Sequence, residues 1–243
     1  NALRDSNLPA RFTEPSLEFP FGTDNIGRDV FRRVGHGASV SLTVGVLAVS
    51  VSVLIGVPIG EVAGFVGGWT DSLLMRLMDI MLAFPSLLLA ITLVAIFGTG
   101  LSNAMLAIGI VGIPVYARLA RSMAIGVRSE DFVMAAESVG ANQWHILWEH
   151  ILPNSLAPII VQATLGLGTA VVETAALGFL GLGQQAPYPE LGKMLAESQQ
   201  YLITGAWWGM VFPGLTITLV VLGFNLLGDG LRDTLDPKLR GTD

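Results

Sequence analysis

Four long stretches of this 243-residue chain contain no Asp, Glu, Lys or Arg: Val34 to Gly60 (27 residues), Ile80 to Ala117 (38), His150 to Val172 (23) and Ser198 to Gly228 (31). A helix needs about 20 apolar residues to cross the hydrocarbon core of a bilayer, so each gap is long enough to span one. Charged residues make up 13% of the chain and hydrophobic ones 52%, whereas soluble domains carry about 25% charge. The constraint is severe, because a spanning segment must satisfy its backbone internally, and in a chain this apolar that means helices.

The 38-residue gap is too long for one crossing, at ~57 Å as a single helix against a core of ~30 Å. It is expected to break at Gly98-Thr99-Gly100, with Asn103 just beyond, where flexible glycines and polar groups end one helix and start the next. Five spans follow, at roughly 40 to 62, 77 to 97, 103 to 122, 155 to 179 and 208 to 229. An odd number places the ends on opposite sides. Near the span ends, Arg76, Arg118, Arg121, Arg128, Arg232, Lys238 and Arg240 share a side with the C-terminus, against Arg28, Arg32, Arg33 and Lys193 on the other. Seven against four assigns the C-terminus to the cytoplasm.

On this reading residues 1–36 are an extracytoplasmic N-terminal segment. Residues 37–231 are the transmembrane domain, with a cytoplasmic loop at 123–154 and an extracytoplasmic loop at 180–206, and residues 232–243 are a cytoplasmic tail. The first 36 residues lack the basic start, apolar core and cleavage site of a signal peptide, and the chain opens at Asn1. A further span upstream, six in all, is therefore expected.

Several chemistries lose support at once. There is no cysteine, and the net charge is −6, which argues against nucleic acid. The only Gly-Lys pair, Gly192-Lys193, precedes Met194, so the phosphate-cradling loop G-x-x-x-x-G-K-[ST] is missing and this chain does not hydrolyse ATP. His145, Glu149 and His150 sit close in sequence, but five residues of α-helix turn ~500° and leave the two imidazoles ~140° apart, unsuited to sharing a zinc ion. Glu61, Asp79 and Glu173 are the only carboxylates near span interiors. That is thin support for the ion relay of a secondary transporter, and snorkelling or pairing near a membrane face serves Glu61 and Asp79 as well.

Gly56, Gly60, Gly64 and Gly68 recur every fourth residue, which marks a helix side open to close approach. Pro58, Pro85 and Pro114 fall inside predicted spans and should bend them.

The one long inner loop carries most of the remaining signal. Ser129 before Glu130 and Asp131 is a credible helix start, Gly140 a C-terminal cap, and Asn142 a second N-cap. In the second helix Trp144, Leu147, Trp148 and Ile151 fall at i, i+3, i+4 and i+7 and form an apolar face. Such a face can lie in the lipid interface, rest on the ends of its own spans or enter a groove on a partner.

This loop resembles a known signature. Ala135-Ala136, Gly140 and Leu152-Pro153 match the E-A-A-x(3)-G-x(9)-I-x-L-P loop of membrane subunits in ATP-driven importers, with Met134 in place of its Glu, His150 in place of its Ile, and Glu137 a carboxylate nearby. Phe21 to Asp29, Leu177 to Gly183 and Gly228 to Lys238 are similar to the peptide and nickel branch of that family. Met78 to Leu89 and Ala206 to Trp208 are most similar to its dipeptide permeases.

The resemblance implies an all-α integral membrane fold of the type I ABC importer permease kind, located in the bacterial inner membrane, with six spans of which the first is missing here. It implies a non-catalytic permease for dipeptides or short oligopeptides, paired with a homologous permease, two ABC ATPases and an extracytoplasmic binding protein. ATP and magnesium would be bound by the ATPases, and no cofactor or metal by this chain. It makes Ala135, Ala136, Glu137, Gly140, Asn142, Trp144, Leu147, Trp148, Leu152 and Pro153 the ATPase-coupling loop. The substrate path is expected between the two permeases, and the outer loop, with Pro187, Tyr188, Pro189 and Trp207 in or near it, could meet the binding protein. A nickel importer of the same architecture, an ion-coupled transporter and a purely structural membrane protein are the rivals. Cargo tests and ATP dependence separate them.

Overall fold

A computed structural model describes residues 6–235. Nine α-helices occur among them: α1 (Val30–Val66), α2 (Gly68–Leu82), α3 (Ser86–Phe97), α4 (Leu101–Arg128), α5 (Asp131–Ser138), α6 (Gln143–Ile146), α7 (Leu152–Phe179), α8 (Leu191–Gln199) and α9 (Trp208–Leu235), with no strand among the described residues. Arg4, Lys238, Arg240 and most of the expected tail lie outside the described residues. Four helical stretches are long and apolar enough to cross a membrane: α1, α4, the run Gln143–Phe179, and α9. The pair α2 and α3 adds a fifth if counted as one span.

That pair shows that the stretch read as one helix over 77–97 is broken into two. The chain bends by 91° between α2 and α3, at Ala83, Phe84 and Pro85. A proline cannot donate to the turn before it, and it disfavours helical geometry in the residue preceding it. Pro85 therefore lies between two helices, not within one, and its carbonyl accepts the Leu89 amide that opens the next (3.0 Å). Pro58 and Pro114 do lie inside helices, and so do Pro158 and Pro213.

By packing, the chain forms two units, comprising the described residues of 1–47, 90–108 and 167–224, and of 48–89, 109–166 and 225–243. In the first unit, the expected break at 98–100 occurs as read. Gly98 and Gly100 take φ of +95° and +141°, and the Asn103 amide donates to the carbonyls of Phe97 and Gly98 (2.9 and 3.0 Å). The polar N-terminal stretch is fastened by its buried Thr23. The Thr23 hydroxyl donates to Ala10 O (2.5 Å) and its carbonyl accepts the Trp208 indole N–H (2.9 Å). Val30, Val34, Leu191, Met194, Ala206 and Trp208 form the core beneath it. Arg33, almost fully buried, lies within 3.7 Å of Asp24 and 3.5 Å of Glu197, so its charge is compensated, as burial demands.

In the second unit the glycine stripe is an interface between α1 and α4. A Cβ on Gly56 would lie 2.6 Å from Ile113 O, one on Gly60 would collide with Ala117 O, and one on Gly64 would lie 2.6 Å from Arg121 O. The three carbonyls recur every fourth residue along α4 as the glycines do along α1, so the two backbones run in contact for two turns. Gly68 does not belong to the stripe. It lies beyond α1 at φ +58° with nothing within 4 Å. Glu61 is buried beside the stripe. The C-terminal end of the pair is closed by Arg128, which donates to Phe65 O and stacks over the Phe65 ring at 5.2 Å. Along α9, which has residues in both units, Leu215, Leu219, Leu222 and Leu226 are exposed on one side, as expected for a helix turned toward lipid.

Candidate coupling surface

Between α4 and α7 the chain makes two short helices. Ser129 does not cap the first. Its hydroxyl donates back to Gly126 O (2.7 Å), and the N-cap position falls to Glu130, with Asp131 in the first turn, where an acidic side chain suits the helix dipole. The exit is as read. Gly140 takes φ +80°, its amide donates to Glu137 O (3.0 Å) and the Ala141 amide to Ala136 O (3.1 Å). This is the paired bonding of a Schellman turn, which needs a left-handed residue. Asn142 caps the second helix through its side-chain oxygen, which accepts from the Trp144 amide (2.9 Å).

The second helix departs from the sequence reading. Leu147–Ile151 is a π-helical turn between α6 and α7. Pro153 offers no amide to the carbonyl of Glu149, and the carbonyls at the end of the turn are taken by side chains: Asn154 donates to His150 O (2.6 Å) and Ser155 to Ile151 O (2.9 Å). A π turn advances less than the 100° per residue of an α-helix. Ile151 therefore lags back toward Leu147 and Ile146.

The apolar face predicted as Trp144, Leu147, Trp148 and Ile151 is accordingly split. Ile146, Leu147 and Ile151 are buried with Val133, Phe65 and Ala124, while Trp144 and Trp148 remain 58% and 54% exposed. The same turn corrects the histidine geometry: residues five apart come together, and the His145 and His150 rings meet edge to face at 6.0 Å. His145 Nδ1 lies 3.2 Å from Glu149 Oε1.

Of the open destinations for this segment, the ends of its own spans receive the Ile146 side, through Phe65 of α1 and Ala124 of α4. Val133 and Ile146 complete that seat although the periodicity of the second helix alone does not single them out. Their apolar character on either side of Gly140 in the sequence was the available signal. Of the expected site residues, Leu147 is buried and Ala136 and Leu152 are half-buried. Ala135, Glu137, Gly140, Asn142, Trp144, Trp148 and Pro153 are exposed. Val139 joins them at 85% exposure. The result is a seat of aliphatic groups on one side and an outward surface of two tryptophans, a valine and a carboxylate on the other.

Residues 56–241, most of the chain and all of this segment, match the family described as binding-protein-dependent transport system inner membrane component. The chain belongs to that family. The dipeptide transport system permease protein of Alkalihalophilus pseudofirmus is 56% identical over 240 residues, which cover 99% of this chain and 79% of that one. A probable D,D-dipeptide transport system permease protein of Escherichia coli K12 is 49% identical, covering 99% and 81%. Among solved structures, a chain of the MetNI methionine ABC transporter in inward-facing conformations superposes with a TM-score of 0.70 at 18% identity, over 85% of this chain and 97% of that one. The inner membrane component described here thus has the all-α fold of type I ABC importer permeases. Membership implies a separate substrate-binding protein and ATPase.

The stretch between α7 and α9 of this inner membrane component is not without structure, for it holds α8. Glu190 is its buried N-cap, and its carboxylate accepts from the Gly192 and Lys193 amides (2.8 and 3.0 Å). Burial pushes the Glu190 carboxyl up to about 7, against the opposing pull of those two amides and the Lys193 charge. A value raised in the folded state stabilises fully below the ordinary value of 4.5, and the contribution is lost as pH rises through about 7. The thermal midpoint of the wild type is expected to fall across that interval. In Glu190→Gln this component of the slope is expected to vanish, and equal slopes in the two proteins would refute it.

Proposed function

We propose that this chain is the permease subunit that carries dipeptides or short oligopeptides across the cytoplasmic membrane, non-catalytic itself and driven by ATPase subunits. Two of these would bind ATP and magnesium, a second homologous permease would complete the path, and an extracytoplasmic binding protein would deliver the peptide. The C-terminus and the 123–154 loop face the cytoplasm on this reading, in line with the seven-to-four basic asymmetry. The names of the relatives support the peptide cargo.

The observation that carries the coupling role is the two-sidedness of residues 131–151. One side is seated on the ends of α1 and α4, and the other presents Trp144, Trp148 and Val139 to solvent. Exposed tryptophans in a capped, anchored element are what a groove on a partner can grip. ATP-driven closure of the ATPases then shifts the permease between conformations only through contacts that differ between them.

Trp144→Ala and Trp148→Ala together are expected to leave stability within about 0.5 kcal/mol, because the side chains are mostly exposed. The same change should weaken ATPase association about tenfold or more. Co-purification of the ATPases and a melting curve test both halves, and unchanged association would remove these residues from the interface. The cargo is tested by uptake of labelled dipeptide and of nickel in cells lacking the chain and in cells to which it is restored, with and without ATP depletion. Restored dipeptide uptake that requires ATP supports the reading. Nickel uptake alone replaces the cargo, and ATP-insensitive restoration overturns the mechanism.

A further inference from the structure

The charged residues of α2 have no place in the coupling surface. Ser72, Met75, Arg76 and Asp79 fall at i, i+3, i+4 and i+7, on one side of that helix. With Asp71 of the same helix and Arg118 and Arg121 of α4, they line a cleft of about 530 Å³. Ligand pockets commonly run from about 300 to 1,000 Å³. Arg121 holds Asp71 through two bonds (2.5 and 2.6 Å), and Arg118 holds Asp79 Oδ1 (2.5 Å).

Two arginines and two aspartates cancel. Arg76 is left over, exposed and without a hydrogen-bond or ion-pair partner among the described residues, so the cleft carries a formal charge of +1. The second oxygen of Asp79 likewise receives no donor among the described residues.

This arrangement cannot face hydrocarbon. Arg118 and Asp79 are 53% and 57% exposed, and charged groups turned toward lipid are strongly disfavoured. The cleft must open to water or to a bound group. A phospholipid headgroup is a poor fit, because Met75 is the only apolar residue among the seven that line it, and nothing there would receive an acyl chain.

We propose that this cleft is a station for the transported peptide, in which Arg76 takes the free α-carboxylate and the open oxygen of Asp79 takes the α-ammonium group. A guanidinium fork matches a carboxylate in two parallel bonds, and a cation and an anion three residues apart on one side of α2 suit a short zwitterion better than a simple ion. The inference rests on the peptide reading above, which concerns the cargo of the whole transporter. What is added is where in this chain the peptide's termini are held.

The test uses the assembled transporter in vesicles of neutral lipid, without the binding protein, so that its affinity does not mask that of the permease. Binding of a labelled dipeptide is compared with that of the same dipeptide as its C-terminal amide, for wild type, Arg76→Gln and Arg76→Lys. Wild type should prefer the free acid by about tenfold, Arg76→Gln should lose that preference, and Arg76→Lys should retain part of it. The comparison of acid with amide in wild type needs no variant and survives any failure of Arg76→Gln to fold. Equal binding of acid and amide by wild type overturns the proposal, as does a preference unchanged in Arg76→Gln. Occupancy that appears only when anionic lipid is added reassigns the cleft to a headgroup and also overturns it. If the wild-type transporter imports no dipeptide when its binding protein is supplied, the cargo reading fails instead, and the two failures are told apart.

Discussion

Gly60→Val is expected to remove most of the folded chain from detergent extracts. A Cβ at this position would collide with Ala117 O and lie 2.9 Å from the Ala120 methyl. Both belong to α4, and a backbone carbonyl cannot rotate out of the way as the tip of a side chain can. The two helices would have to separate, and the contacts at Gly56 and Gly64 on either side would open with them. Overpacking costs about 1–3 kcal/mol where neighbours can adjust, and the absence of any such freedom here puts the expected loss at about 3 kcal/mol or more. Gly126→Ala is the control, since a Cβ there meets nothing within 4 Å and the residue lies in a helix. Its melting temperature should match or slightly exceed that of the wild type. A Gly60→Val protein that melts with the wild type would mean that α1 and α4 do not pack as described.

Gly140→Val is expected to cut uptake sharply while the spans stay inserted and the ATPases continue to turn over. Space is not the obstacle, because nothing lies within 4 Å of a Cβ at Gly140. The cost is in the backbone. At φ +80° a residue with a side chain is strained by about 1–2 kcal/mol, and β-branching adds to this. The paired bonds from Gly140 and Ala141 would be exchanged for another turn, and α5 would leave α6 at a different angle. Uptake should fall about tenfold or more with that strain, whereas ATP hydrolysis by the assembled complex should change little. Gly140→Asn should recover much of the uptake, because asparagine tolerates the left-handed conformation. Wild-type uptake in Gly140→Val would show that the turn is not part of the coupling path.

Much of this was legible in the sequence because bilayer thickness leaves few options. The charge-free gaps mark the spans, Gly98 and Gly100 mark the break before α4, and Gly140 and Asn142 mark a turn whose capping atoms are where local rules place them. What escaped were features set by neighbours. Pro85 reads as one more tolerated proline in an apolar run, and only the charged side of α2, with Asp71, Arg76 and Asp79, hints that α2 and α3 are separate helices. The π turn at Leu147–Ile151 is hidden from any reading that assumes 3.6 residues per turn, and that assumption alone placed the tryptophans on the buried side and the two histidines apart. The cleft around Arg76 needs Arg118 and Arg121, about forty residues away, and no spacing along the chain brings them together.

The close approach of α4 to the glycines of α1 also bears on how far a small displacement can travel. With Ile113, Ala117 and Arg121 carbonyls lying against three glycines, neither helix can slide or roll on the other without a steric clash, so the pair behaves as one beam. Residues 131–151 are seated on its end through Phe65 and Ala124, where a partner's push would be felt as a torque. At 1.5 Å per residue the 28 residues of α4 measure about 42 Å, so a tilt of about 10° pivoting at one end swings the other by about 7 Å. A beam of that length turns a modest rearrangement at residues 131–151 into a displacement on the scale of a peptide at its other end.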